Sequence, residues 1–168
     1  MTAFVGAALV EQTWQRLGAL PPSEMVKLQR QSGKLQPDLI GFVLGFTSAL
    51  SPEAVGLGLY VMIVVLAMFR DACPGKQRKA NERLIMRIWR ESEAAVTGSL
   101  DAPPGSDPLQ QLLGTSSEPA ILEYVFDAFT DMEQEEPVAL TREELERLLA
   151  VMRTFIETLH QVCRPAHS

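Results

Sequence analysis

The sequence predicts an all-α protein, a single-domain helical bundle of about seven helices around a buried apolar central helix. Three observations predict it. Apolar residues recur at three- and four-residue spacing, and no Asn-Gly or Asp-Gly hairpin turn is present. The longest β-branched cluster, Val61 to Val65, sits inside an apolar run too long for an ordinary strand. At 168 residues, 46% hydrophobic and 21% charged, the chain can build one full core without disulfide staples.

A first helix is expected from about Thr2 to Leu17, stopping before Gly18 and the Pro21-Pro22 pair. A second, about Ser23 to Gln31, ends at Gly33 read as a left-handed C-cap. Pro37-Asp38 opens a third helix to about Ala49. Ser51-Pro52-Glu53 supplies an N-cap, a first-turn proline and a dipole-favourable acid for a fourth, running to about Ala72. Pro74-Gly75 breaks the chain, and a fifth helix is expected over about Lys76 to Thr97. Two more follow, about Glu118 to Glu133 and Thr141 to Val162. The last opens with the capping box Thr141-Arg142-Glu143-Glu144.

Residues 98–117 shift to Gly, Pro, Ser, Thr and Asp. This is expected to be a long connection between helical subsets 1–97 and 118–163 within one domain, with Leu109, Leu112 and Leu113 forming one anchoring turn. The C-terminal subset is too small to hold a core of its own.

Between Asp38 and Arg70 the only charge is Glu53, which splits the stretch into apolar flanks of 14 and 16 residues. A membrane-spanning helix needs about 20, with a lower limit near 17. A buried core helix is therefore expected over Ala54 to Phe69, with a membrane hairpin as the minority reading. The first ten residues carry no Lys or Arg, so no secretory signal is expected and the chain is placed in the cytoplasm.

The formal charge of −6 hides a partition. Residues 1–100 hold 11 Lys/Arg against 8 Asp/Glu, whereas residues 101–168 hold 4 against 13. Within the first part, Lys76, Lys79, Arg83, Arg87 and Arg90 fall within an arc of roughly 80° on a helix, a stripe suited to an anionic partner or to a solvated face. No aromatic side chains interleave with it, which disfavours nucleic acid. Asp131, Glu133, Glu135 and Glu136 offer a complement within or between chains.

Gly41, Gly45, Gly56 and Gly58 interrupt the apolar centre. Close helix packing is the expected reason, with an apolar ligand cleft as the rival. Leu145, Leu148, Met152, Phe155 and Leu159 follow a heptad spacing, a bundle face that could also serve as a homodimer seam. The segment Ile121 to Met152 resembles an EF-hand in outline but departs from it at Glu136, where glycine is required and Pro137 follows, and at Arg142, where a bidentate Glu is required.

Catalytic patterns are missing. There is no phosphate-binding glycine loop and no Gly-x-Ser-x-Gly elbow. Glu157 and His160 form one Glu-x-x-His pair with Cys163 nearby, yet no second His lies on another helix; His167 is in a short polar tail. Two cysteines are too few for a disulfide framework. The expected function is a non-catalytic interaction or regulatory module that binds a protein partner or itself, without a cofactor. A binder of small apolar ligands ranks second and a metal-dependent enzyme third.

Overall fold

The structure, a computed structural model, describes residues 3–73, 75 and 77–163. Among these residues there are eight α-helices and no strand: α1 (Ala7–Gly18), α2 (Pro22–Leu35), α3 (Pro37–Thr47), α4 (Pro52–Ala72), α5 (Glu82–Leu100), α6 (Pro108–Leu113), α7 (Pro119–Thr130) and α8 (Arg142–Val162). The all-α bundle read from the sequence is the fold. The eighth element, α6, is the anchoring turn of the long connection, and its Leu112 is buried.

Helix starts follow local chemistry closely. Ser51 accepts from the Ala54 N–H through its side chain, and Thr141 and Glu144 form the reciprocal capping box. Other limits move for reasons outside the local pattern. The first helix begins at Ala7, because the N–H groups of Phe4 and Val5 are taken by the Glu118 carboxylate. The second runs through Gly33 to Leu35, and Gly105 is the one described glycine with positive φ. The fifth begins six residues later than expected, after Asn81, whose side chain caps the Leu84 N–H. The seventh stops at Thr130, where Asp131 turns back to accept from the Glu133 N–H.

α4 is a core helix as expected: every residue from Val61 to Phe69 is buried. It is long and apolar enough to cross a membrane, with mean hydropathy 2.0, and 61% of that stretch is buried inside the protein. The helix with the longest buried stretch is nonetheless α8, buried without interruption from Leu148 to His160 and packed on α3, α4, α5 and α7.

α4 and α8 each span 21 residues and form a parallel pair. Their N-terminal ends are tied by the Ser51 N–H donating to Glu144 Oε2 at 3.0 Å. Near the middle, a Cβ on Gly58 would lie 2.9 Å from Leu148 Cδ2. At the far end the Arg78 N–H donates to the carbonyl of Val162. The N-caps Ser51 and Thr141, the contact of Gly58 with Leu148, and the C-caps Cys73 and Cys163 share one register, an offset of 90 residues.

Candidate functional site

The buried centre of α8 is polar as well as apolar. Arg153, Thr154, Glu157, Thr158 and His160 are all buried. Buried charge is tolerated when hydrogen-bonded, and each charged side chain reaches the connection that crosses it. Arg153 donates to Ser92 Oγ, Thr115 Oγ1 and the Thr115 carbonyl at 2.9, 3.2 and 2.7 Å. Burial lowers the pKa of this guanidinium from its ordinary value, against the opposing pull of Glu157 and Glu91. Glu157 accepts from the Ser117 N–H at 2.7 Å. His160 Nδ1 lies 2.6 Å from Glu118 Oε2, and the Phe4 ring packs on the imidazole at 4.8 Å between centroids.

This arrangement spends the metal-like pair on architecture. Glu157 and His160 take separate partners on residues 117–118, and Cys163 sits beside Cys73. Among the described residues no group of three or more His, Cys, Asp or Glu side chains is placed to hold a metal. His167 lies outside the described residues.

The proposed dimer seam is also internal. Leu148, Met152, Phe155 and Leu159 are fully buried within the chain and Leu145 is partly buried, so the seam builds the core and presents no face to a second copy.

The four glycines do not meet. Gly41, Gly45 and Gly56 have open space where a Cβ would project, and Gly58 alone marks a close helix approach. The expected stripe is shorter than its sequence spacing suggests. Arg83, Arg87 and Arg90 are exposed on α5, Lys79 is exposed in the lead-in before the helix, and Lys76 lies outside the described residues. None of Lys79, Arg83, Arg87 and Arg90 forms an ion pair among the described residues.

Two open grooves cut the surface. The first, about 660 Å³, lies between α3, α5 and α8, with Phe46 and Trp89 in its wall and Glu93, Glu143, Glu146 and Arg147 around it. Trp89 is packed by Phe42 and Phe46, and Arg147 lies over its ring at 5.4 Å. Gly45 is the one glycine of the four that touches either groove.

The second groove, about 560 Å³, lies between α1, α4 and α7. Trp14, Tyr60 and Tyr124 line it together with Glu11, Glu123, Asp127 and Asp131, and no Lys or Arg is among its described lining residues. Trp14 is 42% and Tyr60 39% exposed, unusual for rings of this size on a helical surface. The carboxyl of Asp127 has its pKa raised from the ordinary value, first by burial and then by neighbouring Asp131. Burial pushes the Tyr124 phenol up as well, so it stays protonated at neutral pH.

Sequence reading missed this groove because three separate helices build it. The one local signal was Glu123, Asp127 and Asp131 at four-residue spacing, which places all three on one side of α7 and its end. No protein-family model matches the chain, and no curated protein or solved structure matches it.

Proposed function

We propose that the protein is a non-catalytic interaction module, and that the groove between α1, α4 and α7 takes a cationic segment of a protein partner. One observation carries this reading: exposed aromatic rings and four carboxylates share a concave surface with no Lys or Arg among its described lining residues. Aromatic faces attract Arg and Lys through their quadrupole, and carboxylates at the rim add charge-assisted hydrogen bonds. The first groove offers the comparison within the same chain. There, Arg147 already covers the Trp89 ring, so its aromatic surface is provided for internally.

The small-ligand reading has less to rest on, because of the four glycines meant to line a cleft only Gly45 borders either groove and Gly58 packs on the Leu148 side chain. Buried polar groups of α8 are engaged with residues 92 and 115–118, which favours a structural role for them over chemistry.

The test is a titration of the purified chain with a synthetic Arg/Lys-rich peptide of about ten residues, followed by the fluorescence of Trp14 and repeated at high salt. Saturable binding is expected, weakened by salt; with the variants read by the anisotropy of a fluorescein-labelled copy of the peptide, it should be at least about tenfold weaker for Trp14→Ala, and weaker for the double variant Glu123→Gln/Asp127→Asn. Unchanged affinity in both variants would sink the proposal. Salt-sensitive association of the chain alone would instead assign the guest to the Arg83, Arg87 and Arg90 face of a second copy.

A further inference from the structure

The chain has two cysteines, 90 residues apart in sequence, and both close the helices of the in-register pair. Cys73 is the C-cap of α4 and Cys163 the C-cap of α8. Because the two helices run parallel with their N-caps tied, equal lengths bring the two caps to the same end of the bundle. The strand of chain after Cys73 confirms that placement. Arg78 donates its N–H to the Val162 carbonyl at 3.4 Å and its guanidinium to the Gln161 carbonyl at 3.1 Å. The two thiols are near enough for each to influence the titration of the other. Cys73 is partly exposed, whereas Cys163 is buried at 8%.

We propose that Cys73 and Cys163 form a reversible disulfide that ties the C-terminal end of α4 to the C-terminal end of α8. The oxidant is a small disulfide such as glutathione disulfide. The accessible Cys73, as its thiolate, attacks one sulfur of glutathione disulfide and expels one glutathione thiolate. Cys163, as its thiolate, then attacks the Cys73 sulfur of the mixed disulfide and expels the second. Two protein thiols are oxidised, one glutathione disulfide is reduced to two glutathiones, and the two protons pass to the departing thiolates.

Burial raises both thiols above their ordinary pKa, so thiolate is scarce near neutral pH and the exchange is slow. Both also sit at helix C-termini, where the dipole disfavours an anion. The pair therefore suits a bond set by the prevailing redox poise, not a rapid peroxide sensor. The bond would close a long loop and lock together the two helices that carry most of the core.

The full chain is incubated with excess glutathione disulfide, unfolded in the presence of a thiol-alkylating reagent and weighed intact. A mass lower by two hydrogens, with no alkylation and no glutathione adduct, is expected, and digestion should yield a Cys73–Cys163 cross-linked peptide. The oxidised form should melt roughly 5 °C or more higher, a shift absent from Cys73→Ala and Cys163→Ala. Cys163→Ser should stop at a single glutathione adduct on Cys73. Should either variant fold poorly, the wild-type chain equilibrated in urea gives the reference: the bond should form at least about tenfold more favourably in the folded chain. Two alkylated cysteines, two glutathione adducts, or equal bond formation folded and unfolded would each overturn the proposal.

Discussion

His160 on α8 and Glu118 at the start of α7 meet as a buried pair, 2.6 Å apart, with side chains 1% and 0% exposed. The Glu118 carboxylate also accepts from the N–H groups of Phe4, at 2.8 and 3.1 Å, and of Val5, at 3.0 Å. Because it accepts on all these contacts, the imidazole Nδ1–H is the donor to it. One side chain thus holds α7, α8 and the N-terminal segment together. Removing it as Glu118→Ala takes the carboxylate away from the Phe4 and Val5 N–H groups and from the imidazole in the interior. A loss of about 3–5 kcal/mol is expected in urea unfolding, with the Phe4 and Val5 amides losing hydrogen-exchange protection before the rest of the chain. Glu118→Gln keeps one acceptor oxygen and should cost less. A Glu118→Ala loss below about 1 kcal/mol would show that the latch is not structural.

How far this arrangement was legible depends on where each partner sits in sequence. Ser51, Thr141 and Glu144 cap helices through neighbours three residues away, and those helix starts were read correctly. The apolar face Leu148, Met152, Phe155 and Leu159 was equally visible, although periodicity says only that it is buried, not whether the cover is the same chain. Glu157 and His160 stood out in sequence only as a Glu-x-x-His pair, and Arg153 not at all. Their partners Ser92, Thr115, Ser117 and Glu118 lie 38 to 61 residues away, so no local pattern announces their burial. Gly33 misled because a glycine stops a helix only where the chain needs a left-handed turn, and here the next break is Pro37. The acidic groove and the cysteine pair share the first cause, since each is assembled by packing.

Arg153 bridges α5 and the connection after α6 through three hydrogen bonds that fit a planar guanidinium. An ammonium is a compact charge with a different donor geometry. Arg153→Lys should therefore keep the buried charge and lose at least one partner, destabilising the chain by about 1–3 kcal/mol in urea unfolding. Equal stability of the Lys variant would show that the charge alone, without the fork, satisfies Ser92 and Thr115.

The glycines separate into two classes with opposite expected outcomes. At Gly41 and Gly56 a Cβ meets nothing within 4 Å inside a helix, so alanine should stabilise by about 0.5–1 kcal/mol each. At Gly58 the new Cβ would press on Leu148 Cδ2, itself fully buried, and overpacking offsets the propensity gain. Gly58→Ala should lie at least about 1 kcal/mol below Gly56→Ala when thermal or urea unfolding of the two is compared. Equal stabilities would mean that the α4–α8 contact yields freely to one methyl group.

Glu144 links the N-terminal ends of that same helix pair, and its pH dependence follows from the linkage. Its pKa is lowered, first by hydrogen bonding with Ser51 and then with Thr141. A carboxylate whose folded pKa lies below its unfolded value contributes stability in full above the unfolded value, about 4.3 for Glu. As pH falls through the lower folded value, that contribution disappears. Glu144→Gln removes the titrating group while leaving an oxygen that can still accept from Ser51. Melting temperatures of the wild type and Glu144→Gln should therefore differ most at neutral pH, with the wild type higher, and converge as the solution is acidified past the carboxylate range. Parallel curves over the whole range would locate the contribution of Glu144 in packing, with no part in its charge.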